Sequence, residues 1–250
     1  MAAALEIAGL SLRFGGLTAL NALDLALKPG EAIGLIGPNG SGKTSLFNVL
    51  TGHHAPDAGS VRLDGNETAG LPPPRIAALG VARTFQNLRL LRRLSVYENL
   101  RAARHARAPW REALWQTPAA RRREQDAMIS LLALFGLASK THEMPEALTL
   151  VEMRQLEIAR VLAAAPKLVL LDEPAAGMTP AETDRIIRAI AEHLLPGRSA
   201  IVIEHKVQLV TALCPRIAVL DAGRKIADGP AAAVLGQGEV RRSYFGAASC

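Results

Sequence analysis

Residues 37–44 are the part of this chain whose types and spacing are most typical of a chemical function. They fit the phosphate-binding pattern G-x-x-x-x-G-K-[ST], between an apolar run at 32–36 and a helical run at 45–50. A strand that turns sharply into a helix directs backbone N–H groups and the positive end of the helix dipole at one point, where a polyphosphate can bind. The pattern assigns Lys43 to the β- and γ-phosphates and the Thr44 hydroxyl to Mg²⁺. The predicted nucleotide contacts are Gly37, Pro38, Asn39, Gly40, Ser41, Gly42, Lys43, Thr44 and Ser45.

Two acids follow a second apolar run. Residues 168–171 are apolar and are followed directly by Asp172 and Glu173, which places both carboxylates at the carboxyl end of a buried strand, where open α/β sheets bind ligands. Asp172 is expected to hold Mg²⁺ through water. Glu173 is expected to polarise an attacking water as a general base. The alternative is a capped turn before Pro174, and the phosphate loop upstream favours catalysis.

His205 and Phe14 are further candidates. His205 follows the next predicted strand, at 201–204, so it emerges at the same sheet edge as Asp172. An imidazole there can bind a γ-phosphate and the attacking water. Phe14 precedes the phosphate loop and can stack on a base, although an isolated aromatic residue is more often part of a core and a lone histidine is more often an ordinary polar residue.

The pattern of elements predicts an α/β fold with a mostly parallel sheet covered by helices on both faces. From 88 to 165 the spacing is helical, with Pro118 as a first helical residue and Gly136 as a terminator. Thr179, Pro180 and Glu182 predict a capped helix start. Strands are predicted near residues 5–12, 23–27, 32–36, 61–63, 168–171, 200–203, 217–220 and 225–227.

Composition limits the class of protein. The chain has 250 residues, 49% of them hydrophobic, and a net charge of +6. No window approaches the roughly 18 to 20 apolar residues that cross a bilayer, so a cytoplasmic location is expected. Cys214 and Cys250 have neither disulfide nor metal-site spacing, and we assign them no chemistry. The basic charge permits a nucleic-acid partner, but the arginines are dispersed and the run at 121–123 is typical of a solvated helix face, so none is expected.

Four motifs in order resemble the ATP-binding subunits of ABC transporters: Walker A at 37–44, the Q-loop at 83–87, Walker B at 168–173 and the switch histidine His205. The chain is most similar to the longer ATPase of branched-chain amino acid importers, at residues 13–17, 82–87, 172–180, 203–205, 223–229 and 244–246. The resemblance implies ATP and Mg²⁺ as cofactors and a P-loop NTPase fold with an N-terminal antiparallel β portion. It also implies that Phe14 stacks on adenine, that Gln86 senses Mg²⁺ and couples to membrane subunits, and that 176–180 lies between two ATPases.

The resemblance implies a single domain over 1–250, with a nucleotide-binding core at 1–87 and 166–250 and a helical subdomain at about 88–165.

One motif departs from the family. Its signature, Leu-Ser-Gly-Gly-Gln, aligns with Leu-Thr-Leu-Val-Glu at 148–152. Thr149 keeps the hydroxyl and is expected to contact nucleotide across a dimer, while Leu150 and Val151 are expected to add bulk at that interface. We therefore expect a heterodimer with unequal sites; in the alternative, the backbone N–H groups still serve the partner.

The expected function is coupling of ATP binding and hydrolysis to uptake of branched-chain or other hydrophobic amino acids. The expected partners are integral membrane permease subunits, a second ABC ATPase in a heterodimer or homodimer and, indirectly, a periplasmic or extracellular substrate-binding protein. The expected place is the cytoplasmic face of the inner membrane, with a docking groove near 86–100. The alternatives are a lipid or lipopolysaccharide exporter ATPase and a soluble ABC ATPase acting on nucleic acid. Lys43 and Asp172 are only 129 residues apart, which leaves no room for a long coiled-coil arm and disfavours the latter.

Overall fold

The computed structural model describes residues 4–86, 88–105, 117–238 and 240. In this part of the chain, the first of two sheets is antiparallel and has the strand order β2-β1-β4-β5. Its strands are β1 (Leu5–Phe14), β2 (Leu17–Leu27), β4 (Ala58–Leu63) and β5 (Asn66–Glu67). The predicted N-terminal antiparallel portion is therefore confirmed.

The second sheet is mostly parallel and has the order β10-β9-β3-β8-β7-β6 among the described residues. All neighbouring pairs are parallel except β9 with β10. Strand β10 lies at the edge of the sheet and runs antiparallel to β9. The strands are β3 (Ala32–Ile36), β6 (Val81–Arg83), β7 (Leu168–Asp172), β8 (Ser199–Ile203), β9 (Arg216–Asp221) and β10 (Arg224–Pro230).

Helices cover both faces of this sheet. Alternate residues of a strand enter two different cores: Leu168 and Leu170 pack toward the antiparallel sheet, and Val169 and Leu171 pack toward the helical layer. The described helices are α1 (Lys43–Leu50), α2 (Pro73–Leu79), α3 (Val96–His105), α4 (Pro118–Leu134), α5 (Leu150–Ala163), α6 (Pro180–Ala189), α7 (Val207–Leu213) and α8 (Ala231–Leu235).

Several local predictions are confirmed. Pro118 opens α4 after Thr117, whose hydroxyl caps the helix, and Gly136 follows its end with a φ of +71°. Thr179 and Glu182 form the predicted capping box. Four of the strands and helices named above had not been predicted: α2, α8, the two-residue strand β5 and the three-residue strand β6. Each of them is too short to develop a period. The second strand was predicted to begin at residue 23, but β2 begins at Leu17. The prediction missed its first half because Ala22, in a left-handed conformation, interrupts the alternation.

Within the described part of the chain, no helix is both long enough and apolar enough to cross a membrane.

We expect Gly34→Ala to destabilise the fold. A Cβ on Gly34, in the middle of β3, would lie 2.1 Å from Cγ1 of Val210 in α7. Overpacking of this kind costs about 1–3 kcal/mol of unfolding free energy. Urea unfolding of both proteins measures the difference. Gly16→Ala is the matched control, because no atom lies within 4 Å of its added Cβ; equal losses for both variants would contradict the expected clash.

Candidate active site

The phosphate loop turns from β3 into α1, and two of its glycines are required by close backbone contacts. A Cβ on Gly37 would lie 2.1 Å from the Leu220 carbonyl oxygen, and one on Gly42 would lie 2.5 Å from the Ala19 carbonyl oxygen. Gly42 is the N-cap of α1, has a φ of +104° and supplies no side-chain cap. The N-terminus of α1 thus keeps its N–H donors and its positive dipole for an anion.

The Lys43 ammonium group closes this loop. Its Nζ donates to the carbonyl oxygens of Gly37 at 2.7 Å and Pro38 at 2.8 Å, and it lies 3.3 Å from Ser41 Oγ. Burial lowers the pKa of Lys43, while the nearby carboxylates of Glu173 and Asp172 oppose that shift. A buried ammonium at a helix N-terminus provides the charge that a polyphosphate needs.

Asp172 lies at the end of β7, and its carboxylate forms an ion pair with Arg83. Arg83 Nη2 donates to Asp172 Oδ2 at 2.6 Å, and Arg83 Nη1 donates to Asn48 Oδ1 at 2.8 Å. The Asp172 N–H also donates to Thr84 Oγ1 at 3.0 Å. The sequence had not assigned a role to Arg83; its signal was a basic residue on the strand beside β7.

The structure brings two of the predicted residues, Gln86 and His205, into contact with a third, Glu173. His205 Nε2 lies 2.9 Å from Glu173 Oε1, and Gln86 Nε2 donates to Glu173 Oε2 at 3.2 Å. Glu173 itself has a φ of +47°, which is unusual for a residue with a side chain. A carboxylate held on both oxygens at a sheet edge is suited to take a proton from a water molecule.

Glu204 supports this loop and had not been predicted. Its carboxylate is buried and accepts from the Ala175 N–H at 3.1 Å and from the His205 N–H at 3.3 Å. Burial raises the pKa of Glu204, and these N–H donors oppose that shift. The carboxylate therefore ties the chain after β7 to the chain after β8, and its sequence signal was an acid at the end of an apolar strand.

Phe14 is not part of the core. Its ring is 44% exposed, and it meets the His54 ring edge-on with centroids 5.1 Å apart. An exposed ring at a strand end can stack on a base. Cys214, by contrast, is buried, which raises the pKa of its thiol to about 12, so its thiolate is not accessible for chemistry.

Thr149 is the N-cap of α5 and forms a capping box with Glu152. Of the two bulky residues that follow, Leu150 is 43% exposed, whereas Val151 is 7% exposed and packs in the helical core. The expectation that both add bulk at an interface was therefore wrong for Val151, because the first turn of α5 directs that side chain inward. For Leu150 it stays a prediction.

Some expected motif residues, Asn87 and 244–246, lie outside the described residues, as does Cys250. Of the apolar residues near the expected docking groove, Val96 is buried core and Leu91 is 41% exposed. A groove between α2 and α5 has a volume of about 420 Å³ and is lined by Ala77, Val81, Ala82, Arg83, Phe85, Arg89, Ala103, Glu157, Arg160, Val161 and Ala164. Only Arg89 of these residues lies within 86–100, and neither Leu91 nor Val96 lines the groove, so the docking groove expected near 86–100 stays a prediction.

The donor atoms of this site fit Mg²⁺. Among the described residues, no cluster of three or more His, Cys, Asp or Glu side chains could hold a metal ion. Magnesium bound to a nucleotide takes one or two protein oxygens and otherwise phosphate and water, so it does not require such a cluster. Thr44, Gln86 and Asp172 supply hydroxyl, amide and carboxylate oxygens, respectively.

The fold and the site define an ATPase cassette of the P-loop class. A family model described as ABC transporter matches residues 20–176. The chain belongs to the ABC transporter family.

Individual relatives are similar over almost the whole chain. The chain is 40% identical to the high-affinity branched-chain amino acid transport ATP-binding protein BraF of Pseudomonas aeruginosa, with 98% of each covered. It is 39% identical to LivG of Escherichia coli, with the same coverage and description. Among solved structures, the ADP conformation of an ATP-binding cassette of an ABC transporter has a TM-score of 0.84 at 26% identity, covering 98% of this chain and 100% of that one.

We expect Phe14→Ala to weaken ATP binding by roughly tenfold, because stacking of a base on an aromatic ring is worth about 1–3 kcal/mol. Phe14→Tyr should retain most of the affinity. Calorimetric titration of the full chain with ATP gives the dissociation constants. Leu17→Ala, at an exposed neighbouring position, is the control, and a dissociation constant for Phe14→Ala no larger than that of the control would contradict a stacking role.

Proposed function

We propose that this chain is the ATP-hydrolysing subunit of an importer of branched-chain or other hydrophobic amino acids. The observation that carries the proposal is the Glu173 carboxylate, held between Gln86 and His205 at the sheet edge that also presents the phosphate loop. The two importer ATP-binding proteins, at 40% and 39% identity, support the solute class.

In this proposal each residue has one role. Lys43 and the N-terminus of α1 bind the β- and γ-phosphates, and Phe14 binds adenine. Thr44, Asp172 and Gln86 would hold Mg²⁺, which would supply positive charge against the charge that develops on the phosphate. Glu173 accepts a proton from the attacking water, and His205 orients that water and the γ-phosphate.

The groove between α2 and α5 is the proposed docking site for the permease subunits. Apolar residues line it together with three cationic side chains, Arg83, Arg89 and Arg160, and the carboxylate of Glu157, so it fits one end of an amphipathic helix. Docking there places the chain on the cytoplasmic face of the membrane, and a substrate-binding protein on the other side acts only through the permease.

The proposed partner at the nucleotide is a second ABC ATPase, supplied by a different chain. Leu150 remains exposed beside Gly177 in the 176–180 loop, with Leu150 Cδ2 3.9 Å from where a Gly177 Cβ would lie. Bulk at this position keeps the backbone of α5 away from the partner's phosphate, which makes the two sites unequal. Thr149 then provides the remaining polar side chain toward that nucleotide.

The domain assignment is also part of this proposal: a single ABC ATPase domain over 1–250, with a helical subdomain at about 88–165.

An exporter role remains the competing function, since the lipopolysaccharide export system ATP-binding protein LptB of Haemophilus influenzae is 34% identical over 90% of this chain. The importer relatives are more similar and cover more of the chain. We therefore favour uptake.

We expect Glu173→Gln to lower ATP hydrolysis and leucine uptake together, by roughly 100-fold or more, because a positioned general base contributes about 10²–10⁴ in rate. Both are measured on the complex reconstituted in vesicles. Glu192→Gln, at an exposed carboxylate in the Ile190–Leu194 turn, is the control. Hydrolysis without leucine uptake by the wild-type complex would contradict the solute class, and undiminished hydrolysis by Glu173→Gln would contradict the catalytic role.

We expect Leu150→Gly to raise ATP turnover of the assembled complex by about twofold, because the partner's site gains close backbone N–H donors. Val151→Gly is the matched comparison: it empties a core position and should lower the free energy of unfolding without raising turnover. An unchanged rate in Leu150→Gly would contradict the unequal-site proposal.

A further inference from the structure

A buried ion pair lies in α5, outside the predicted site residues. Arg154 and Glu157 are one helical turn apart, and Arg154 Nη1 donates to Glu157 Oε2 at 2.5 Å. Their side chains are only 2% and 5% exposed. Moving two charges out of water costs several kcal/mol for each ion, which is recovered only when further hydrogen bonds satisfy both groups.

Those further hydrogen bonds go to the backbone of the Q-loop. Glu157 Oε1 accepts from the Phe85 N–H at 3.1 Å. Arg154 Nη1 donates to the Phe85 carbonyl at 2.9 Å, and Arg154 Nη2 donates to the Gln86 carbonyl at 3.2 Å. Strand β6 has ended at Arg83, so two side chains of α5, and not a sheet ladder, hold this part of the backbone.

The backbone at Phe85 and Gln86 determines where the Gln86 side chain lies. Its amide reaches Glu173 Oε2 at 3.2 Å, so a shift of the Gln86 backbone changes the contact with the general base. Burial raises the pKa of Glu157, and the adjacent Arg154 opposes that shift.

We propose that Arg154 and Glu157 are positioning residues for ATP hydrolysis: they hold the backbone at Phe85 and Gln86 so that the Gln86 amide is placed against Glu173. The inference rests on the proposed function, since it concerns the same hydrolytic centre. The inference also gives α5 two roles. Its first turn, after Thr149, lies at the proposed dimer surface, and Arg154, about one turn further along, holds the Gln86 backbone.

The test replaces the pair by apolar residues of similar size, Arg154→Met with Glu157→Leu. Such replacements of buried ion pairs are often neutral or stabilising, so the full chain is expected to unfold cooperatively at an unchanged midpoint. The dissociation constant for ATP should also be unchanged. The value of kcat should fall by roughly 10- to 100-fold, because a displacement of about 1 Å can cost that much in rate. Hydrogen exchange at the Phe85 amide should become faster.

A second arm separates positioning from general damage. In a Gln86→Ala background the double replacement should cause little further loss of kcat, because the contact it supports is already absent. Arg216→Met with Asp228→Leu is the control, since it removes a hydrogen-bonded, partly exposed ion pair between β9 and β10 and should leave kcat unchanged. Multiplicative losses in the Gln86→Ala background, or an unchanged kcat in the double replacement, would overturn the inference.

A third variant covers the case in which the double replacement does not fold. Arg154→Lys keeps the charge beside Glu157 but cannot reach both carbonyl groups, since an ammonium lacks the fork of a guanidinium. Its kcat should fall at an unchanged dissociation constant for ATP, and an unchanged kcat would overturn the inference. Absence of hydrolysis by the wild-type complex would instead contradict the proposed function itself, so the two failures are distinguishable.

Discussion

The site depends on the parallel register of three buried strands. Leu35 of β3 and Asp172 of β7 both pair with Ile203 of β8. Because parallel strands end at the same edge, this register places the phosphate loop, the acidic pair and His205 side by side. Only Ser199, at the start of β8, is polar before the last position of these strands; its hydroxyl donates to the Lys28 carbonyl and accepts from the Gly30 N–H, just before β3. The remaining alignment depends on apolar packing on both faces of the sheet.

Once the strands are aligned, the backbone directs Glu173. Its N–H donates to the Ile203 carbonyl at 2.9 Å, which continues the pairing of β7 with β8 beyond Asp172. The left-handed φ of +47° then turns the chain, and Glu204 holds the next segment through the Ala175 N–H. A conformation of this kind costs about 1–3 kcal/mol and persists only where its surroundings determine it. The strain therefore positions the carboxylate between Gln86 and His205.

Sequence patterns predicted the groups that lie close in the chain to a strong local signal. The phosphate loop follows a strand and opens a helix, and the capping box at Thr179 extends over three residues, so both were recognisable. Arg83 and Glu204 were not, because their partners are distant in the sequence and only folding brings them together. Val151 was misjudged for a related reason: the alignment placed it in a motif, but the rotation of α5 about its axis decides which face is buried.

The groove between α2 and α5 and the hydrolytic centre at Glu173 are connected through the Q-loop backbone. Phe85 and Glu157 line the groove, and the hydrogen bond between the Phe85 N–H and Glu157 Oε1 is part of the contact that holds the Q-loop. A close-packed interior transmits a displacement instead of absorbing it. In the docking that we propose, a partner helix that presses on this wall would move the Phe85 backbone, and Gln86 would follow because it is the next residue. The proposed docking site and the proposed general base Glu173 are thus connected through the peptide unit between Phe85 and Gln86.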